Sequence, residues 1–98
     1  MRLTRQEVSA IKAAAADTFG ATAIVRLFGS RVDDSLRGGD TDLHIEVDQI
    51  DDEWAKRADF ETALFRRIDP RKVDLILSER GKTPRGFERI AYRDGIVL

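Results

Sequence analysis

The chain contains no cysteine and one histidine, His44. A disulfide framework and a thiolate zinc site are therefore excluded, and a histidine-based metal centre would lack a second imidazole. No apolar run approaches membrane-spanning length, and the N-terminal MRLTRQEV has no signal-peptide apolar core, so the expected location is the cytoplasm. An excess of positive charge is also missing: 17 basic and 18 acidic residues leave a net charge of −1. That balance argues against an extended nucleic-acid surface, whose usual footprint is a basic patch. Repeats, linkers and low-complexity tracts are absent beyond the short Ala13 to Ala16 run. What remains is a composition 42% hydrophobic and 36% charged over 98 residues. It fits one folded domain spanning residues 1–98, with no length to spare for a second substrate-binding domain.

The most informative stretch is IVRLFGSRVDDSLRGGDTDLHIEVD, residues 24–48. It reads as a strand to Phe28, a Gly29-Ser30 turn, a charged loop through Gly39, and a second strand from about Thr41 to Asp48. Asp40 and Asp42 are spaced i, i+2, so in extended chain they share one side while Leu43, Ile45 and Val47 take the other. Two carboxylates held together disfavour double ionisation. A hard divalent cation relieves that repulsion, and oxygen-only ligation suits Mg²⁺. Gly29 lets the backbone turn where a phosphate must approach, and Ser30 adds a hydroxyl and an N–H. Arg31 and Arg37 bring positive charge to the same loop. His44 and Glu46 follow Asp42 on its face. A lone strand histidine is more often a packing or surface residue than a reacting one, and Glu46 and Asp48 read as solvated.

The other elements follow from periodicity and punctuation. Thr4 to Phe19 reads as a helix with a Thr4/Glu7 capping box, Leu3 stapled onto Val8, and a core stripe of Val8, Ile11, Ala15, Thr18 and Phe19. Asp51 to Ile68 reads as a second helix capped by Asp51. Its apolar arc holds Trp54, Ala58, Phe60, Leu64, Phe65 and Ile68, and Glu61 falls on that arc as an edge position paired with Arg57. Lys72 to Ser78 is a third strand, and Asp74 within its apolar run needs a partner or a task. Pro84 to Asp94 reads as a last helix with Phe87, Ile90 and Ala91 inward and a solvated stripe of Arg85, Arg89 and Arg93. The apolar tail Ile96 to Leu98 either pairs as an edge strand or docks against a partner. The order predicts a small α/β (α+β) sandwich: a mixed sheet of three or four strands, antiparallel between strands one and two and parallel across the second helix. Helices are expected on one face, leaving the aspartate-bearing face open.

A strand ending in Gly29-Ser30, nine intervening residues, Asp40-Thr41-Asp42 on the next strand and Asp74 on a later one together resemble the nucleotidyltransferases of the DNA polymerase beta superfamily. Among these the chain is most similar to minimal nucleotidyltransferase domains, often paired with HEPN-domain proteins in toxin–antitoxin modules. Val32-Asp33-Asp34 departs from the family's usual Ala-Arg-Gly, and Thr41 stands where an aliphatic residue is usual. The resemblance implies transfer of a nucleoside monophosphate, AMP from ATP in particular, to a hydroxyl on a partner protein. Asp40, Asp42 and Asp74 would be catalytic and bind two Mg²⁺ ions, with Gly29, Ser30 and Arg31 holding the nucleotide's phosphates. Two alternatives stay open: a non-catalytic antitoxin acting by stoichiometric contact, and a nucleotide-sensing regulatory module with a vestigial site.

Overall fold

The computed structural model describes residues 3–29 and 41–98. The elements run α1 (Arg5–Phe19), β1 (Ile24–Phe28), β2 (Thr41–Val47), α2 (Glu53–Phe65), β3 (Val73–Glu79), α3 (Phe87–Asp94) and β4 (Ile96–Val97). The four strands form one mixed sheet in the order β3-β2-β1-β4. β1 is antiparallel to β2 and to β4, whereas β2 and β3 are parallel. The expected antiparallel pair and parallel crossover are both present, and the apolar tail pairs as an edge strand. Among the described residues no helix is long and apolar enough to cross a membrane.

Local chemistry accounts for most of the boundaries. The capping box on α1 is complete: Thr4 Oγ1 accepts from the Glu7 backbone N–H at 3.0 Å, and Glu7 Oε1 accepts from the Thr4 N–H at 2.9 Å. α2 begins later than the sequence suggests because Asp52, not Asp51, is its cap, with Oδ1 accepting from the Ala55 N–H at 3.1 Å. α3 starts only at Phe87, since Gly86 occupies its N-cap at φ +51 and Pro84 lies in the preceding loop.

The main core lies between the sheet and the α1/α2 layer. Leu43, Ile45 and Val47 from β2, Val25 and Leu27 from β1, and Leu75 and Leu77 from β3 meet Ile11, Phe60 and Leu64. Ala10, Ala14 and Ala15 are buried with them, so α1 turns these three alanines inward and comes close to its neighbours. The expected α1 stripe missed Ala10 and Ala14 because small residues look neutral in a periodicity count.

The expectation of helices on one face alone needs correction. α1 and α2 cover one face, while α3 lies across the other, touching β1 and β3. The reason is the chemistry beneath it. His44, fully buried, meets the Tyr92 ring edge-on at a centroid distance of 4.6 Å. Glu46 is buried rather than solvated, because it accepts from Arg26 at 2.9 Å and from Arg80 at 2.8 Å. Burial alone would hinder ionisation of Glu46, but these two guanidiniums hold its pKa below the usual value. Arg26 also lies over the Tyr92 ring, 4.8 Å from its centroid. A polar floor demands a polar helix face, so α3 turns Glu88, Ala91 and Tyr92 inward. Phe87 and Ile90, expected in the core, are exposed.

Candidate functional site

β1 delivers Phe28 and Gly29 to the point where β2 begins, and the register places Phe28 opposite Asp42. Across the parallel pair, Asp42 is the register partner of Asp74. Register partners in a sheet point to the same face, and neighbouring strands lie ~4.8 Å apart, so Asp42 and Asp74 project from one face of adjacent strands. Asp74 is exposed and Asp42 half-buried. Gly29 adopts φ +76, and a Cβ there would overlap the Asp42 carboxylate, whose Cγ would lie 2.9 Å away. A bare backbone thus approaches a carboxylate as closely as chain geometry allows.

Phe28, Asp42 and Asp74 line a groove of about 540 Å³ with Arg57, Val73, Leu75, Ile76 and Phe87. Arg57 did not stand out in the sequence. It reaches from α2 to the edge of β3, where its guanidinium donates to the Leu75 carbonyl at 2.5 Å, and it pairs with Glu53 at 3.4 Å rather than with Glu61. Glu61, Trp54 and Ala58 all face solvent, which removes them from the expected apolar arc of α2. The signal that was available is positional: Arg57 lies one turn before the buried Phe60 and two turns before Leu64, at the border of the core stripe.

Ser30, Arg31 and Asp40, together with the rest of the 30–40 loop, lie outside the described residues. Of the six expected site residues, Gly29, Asp42 and Asp74 are therefore brought together. Among the described residues no three side chains of metal-ligating type converge. The described part supplies two carboxylates and the glycine that lets backbone come against that of Asp42. That donor set fits a hard divalent cation, because ionised carboxylates offer only acceptor oxygens.

A second cluster lies farther along the same face. His44 Nε2 is 2.9 Å from Ser78 Oγ, and Ser78 donates to Glu88 Oε1 at 2.5 Å. Since the carboxylate can only accept, the Ser78 proton goes to Glu88 and His44 Nε2 carries a hydrogen toward Ser78. His44 Nδ1 is then left buried without a partner among the described residues. Burial, and after it the charge of Arg26, lowers the His44 pKa. The polarity runs opposite to that of an activated serine, and Ser78 is itself buried. The cluster fixes α3 on the sheet, which is the packing outcome expected for a lone strand histidine.

No protein-family model matches this chain, and no curated protein matches its sequence.

Proposed function

We propose that the chain is a metal-dependent nucleotidyltransferase that moves a nucleoside monophosphate, AMP from ATP, onto a hydroxyl of a partner protein, as the antitoxin-like half of a HEPN/minimal-nucleotidyltransferase pair. The observation that carries this reading is the pairing of Asp42 with Asp74 in register, at the start of adjacent parallel strands, with Gly29 against the Asp42 carboxylate. Like charges at register positions add nothing to a sheet by themselves, and two carboxylates on one face of adjacent strands are a donor set for a hard divalent cation.

In this reading Asp42 and Asp74, with Asp40, would hold Mg²⁺, which when bound supplies charge neutralisation for the triphosphate and favours the acceptor alkoxide. The backbone at Gly29 receives phosphate oxygens where no side chain intervenes, with Ser30 and Arg31 following it in the chain. The acceptor oxygen forms a bond to the α-phosphorus while the bond from that phosphorus to the bridging oxygen breaks. Pyrophosphate leaves, and the hydroxyl proton passes to Asp74. The test is incubation with ATP labelled at the α-phosphate, Mg²⁺ and a HEPN-type protein encoded beside it. Label should appear on that protein and vanish with Asp42→Asn or Asp74→Asn. Unlabelled partner that is nevertheless bound and neutralised by both variants would replace transfer with stoichiometric contact.

A further inference from the structure

β3 is an edge strand, and its outer edge is unlike that of β4 at the opposite side of the sheet. β4 has two residues and β3 has seven. Short edges are one way proteins blunt unwanted pairing; a long edge is a template for another strand. The parity of β3 follows from two bonds: the Thr41 N–H donates to the Lys72 carbonyl at 3.1 Å, and the Arg80 N–H donates to the Val47 carbonyl at 2.7 Å. Even-numbered residues therefore direct their peptide groups toward β2 and odd-numbered ones outward. Val73, Leu75 and Leu77 present their N–H and C=O groups along the outer edge. Of these, the Leu75 carbonyl is held by Arg57.

Exposed aromatics stand on the two helices that pack on either face of the sheet, α2 and α3. Trp54, 79% exposed, lies one turn before Arg57 on α2, and Phe87, 71% exposed, stands at the start of α3 and lines the carboxylate groove. They are the two most exposed large apolar side chains among the described residues. An extended segment added to this edge would alternate its side chains between the Trp54 side and the Phe87 side, the pattern of strand-addition recognition. A second copy of the chain fits poorly. Two-fold pairing around Leu75 would bring two Arg57 guanidiniums into one seam.

We propose that the outer edge of β3 binds an extended segment of a partner polypeptide as a fifth strand, clasped between Trp54 and Phe87, and that this segment carries the acceptor hydroxyl to Asp74. Delivery of the hydroxyl rests on the transferase reading above; docking does not. A residue of the added strand opposite Asp74 falls on the face shared by Asp74 and Asp42, within the groove. Arg57 releases the Leu75 carbonyl to the incoming strand and guards the edge when no partner is present.

The probe is a displayed library of random twelve-residue peptides, panned on the purified chain without nucleotide, followed by amide hydrogen exchange of the chain with an enriched peptide. The amides of Val73, Leu75 and Leu77 should exchange rapidly in the free chain and become protected with peptide, whereas those of Asp74 and Ile76 are slow in both states. Trp54→Ser with Phe87→Ser should weaken binding roughly tenfold or more, as removal of exposed anchors does. Trp54→Ser alone, whose residue is not part of the groove lining, should also weaken binding and leave the Mg²⁺·ATP shift in melting temperature unaltered, which separates failure of the edge from failure of the nucleotide site. Val73→Pro removes an outward donor and no inward one, and should lose the peptide as well. The proposal is overturned if no peptide is enriched, if enriched peptides leave the odd-numbered amides unprotected, or if the aromatic double variant binds undiminished. Protection of those amides in the free chain with dimeric sedimentation would assign the edge to a second copy and overturn it too.

Discussion

Gly29→Ala tests whether backbone really presses against the Asp42 carboxylate. At φ +76 an L-residue is strained, by about 1–2 kcal/mol in the left-handed region. The added Cβ also displaces Asp42, and driving a side chain off its rotamer costs about 0.5–1.5 kcal/mol. The two together come to roughly 2–3 kcal/mol. With a urea m-value of about 2 kcal/mol/M, the unfolding midpoint should fall by about 1 M. Gly81→Ala is the matched control, because Gly81 has φ +90 and a methyl group added there would meet nothing within 4 Å. It should show the backbone contribution alone. Repeating Gly29→Ala in an Asp42→Ser background should shrink its effect toward that of Gly81→Ala, a coupling that a double-mutant cycle reads directly. If Gly29→Ala and Gly81→Ala are equally costly, and the Asp42 background changes nothing, Asp42 is not held against Gly29 and the site geometry falls.

The polar floor under α3 predicts a staged loss of stability in acid. The folded pKa of His44 lies below its usual 6.5, so the unfolded chain takes up the proton first. Its contribution is complete above that value and is lost as pH falls below it. Glu46, also lowered, contributes above its usual 4.5 and loses that contribution as pH falls through its lower folded value. Urea midpoints measured across this range should show both stages, and His44→Phe should abolish the upper one; persistence of the upper stage in that variant would assign it elsewhere. At the other end of the molecule, Thr4→Ala should cost about 1 kcal/mol by denaturant unfolding, since it removes the cap oxygen from α1.

The parts of the fold that were legible in the sequence are those governed by local rules. The α1 capping box, the alternation of Leu43, Ile45 and Val47, and the parallel crossover through α2 depend on period and punctuation, and each is found in place. Misreadings arose where a tertiary neighbour decides the face. Trp54 and Phe87 are core-type side chains in a periodicity reading, yet both are exposed. Glu46 looks solvated in a strand pattern, and nothing local reveals two arginines, one from β1 and one beyond β3, closing on it. In the site, the relation of Asp42 to Asp74 was readable because strand parity and a parallel crossover constrain it. Arg57 was not, because its role depends on the edge position of β3, which a one-dimensional pattern does not encode.

The central claim is a Mg²⁺-dependent nucleotide site built on Asp42 and Asp74, and it is tested most directly by calorimetric titration of the chain with a non-hydrolysable ATP analogue, with and without Mg²⁺. The account predicts saturable binding in the presence of Mg²⁺ that disappears when the metal is chelated and is lost in both Asp42→Asn and Asp74→Asn, each still folded by circular dichroism. Absence of binding in the unaltered chain, or binding that survives both substitutions, would contradict it.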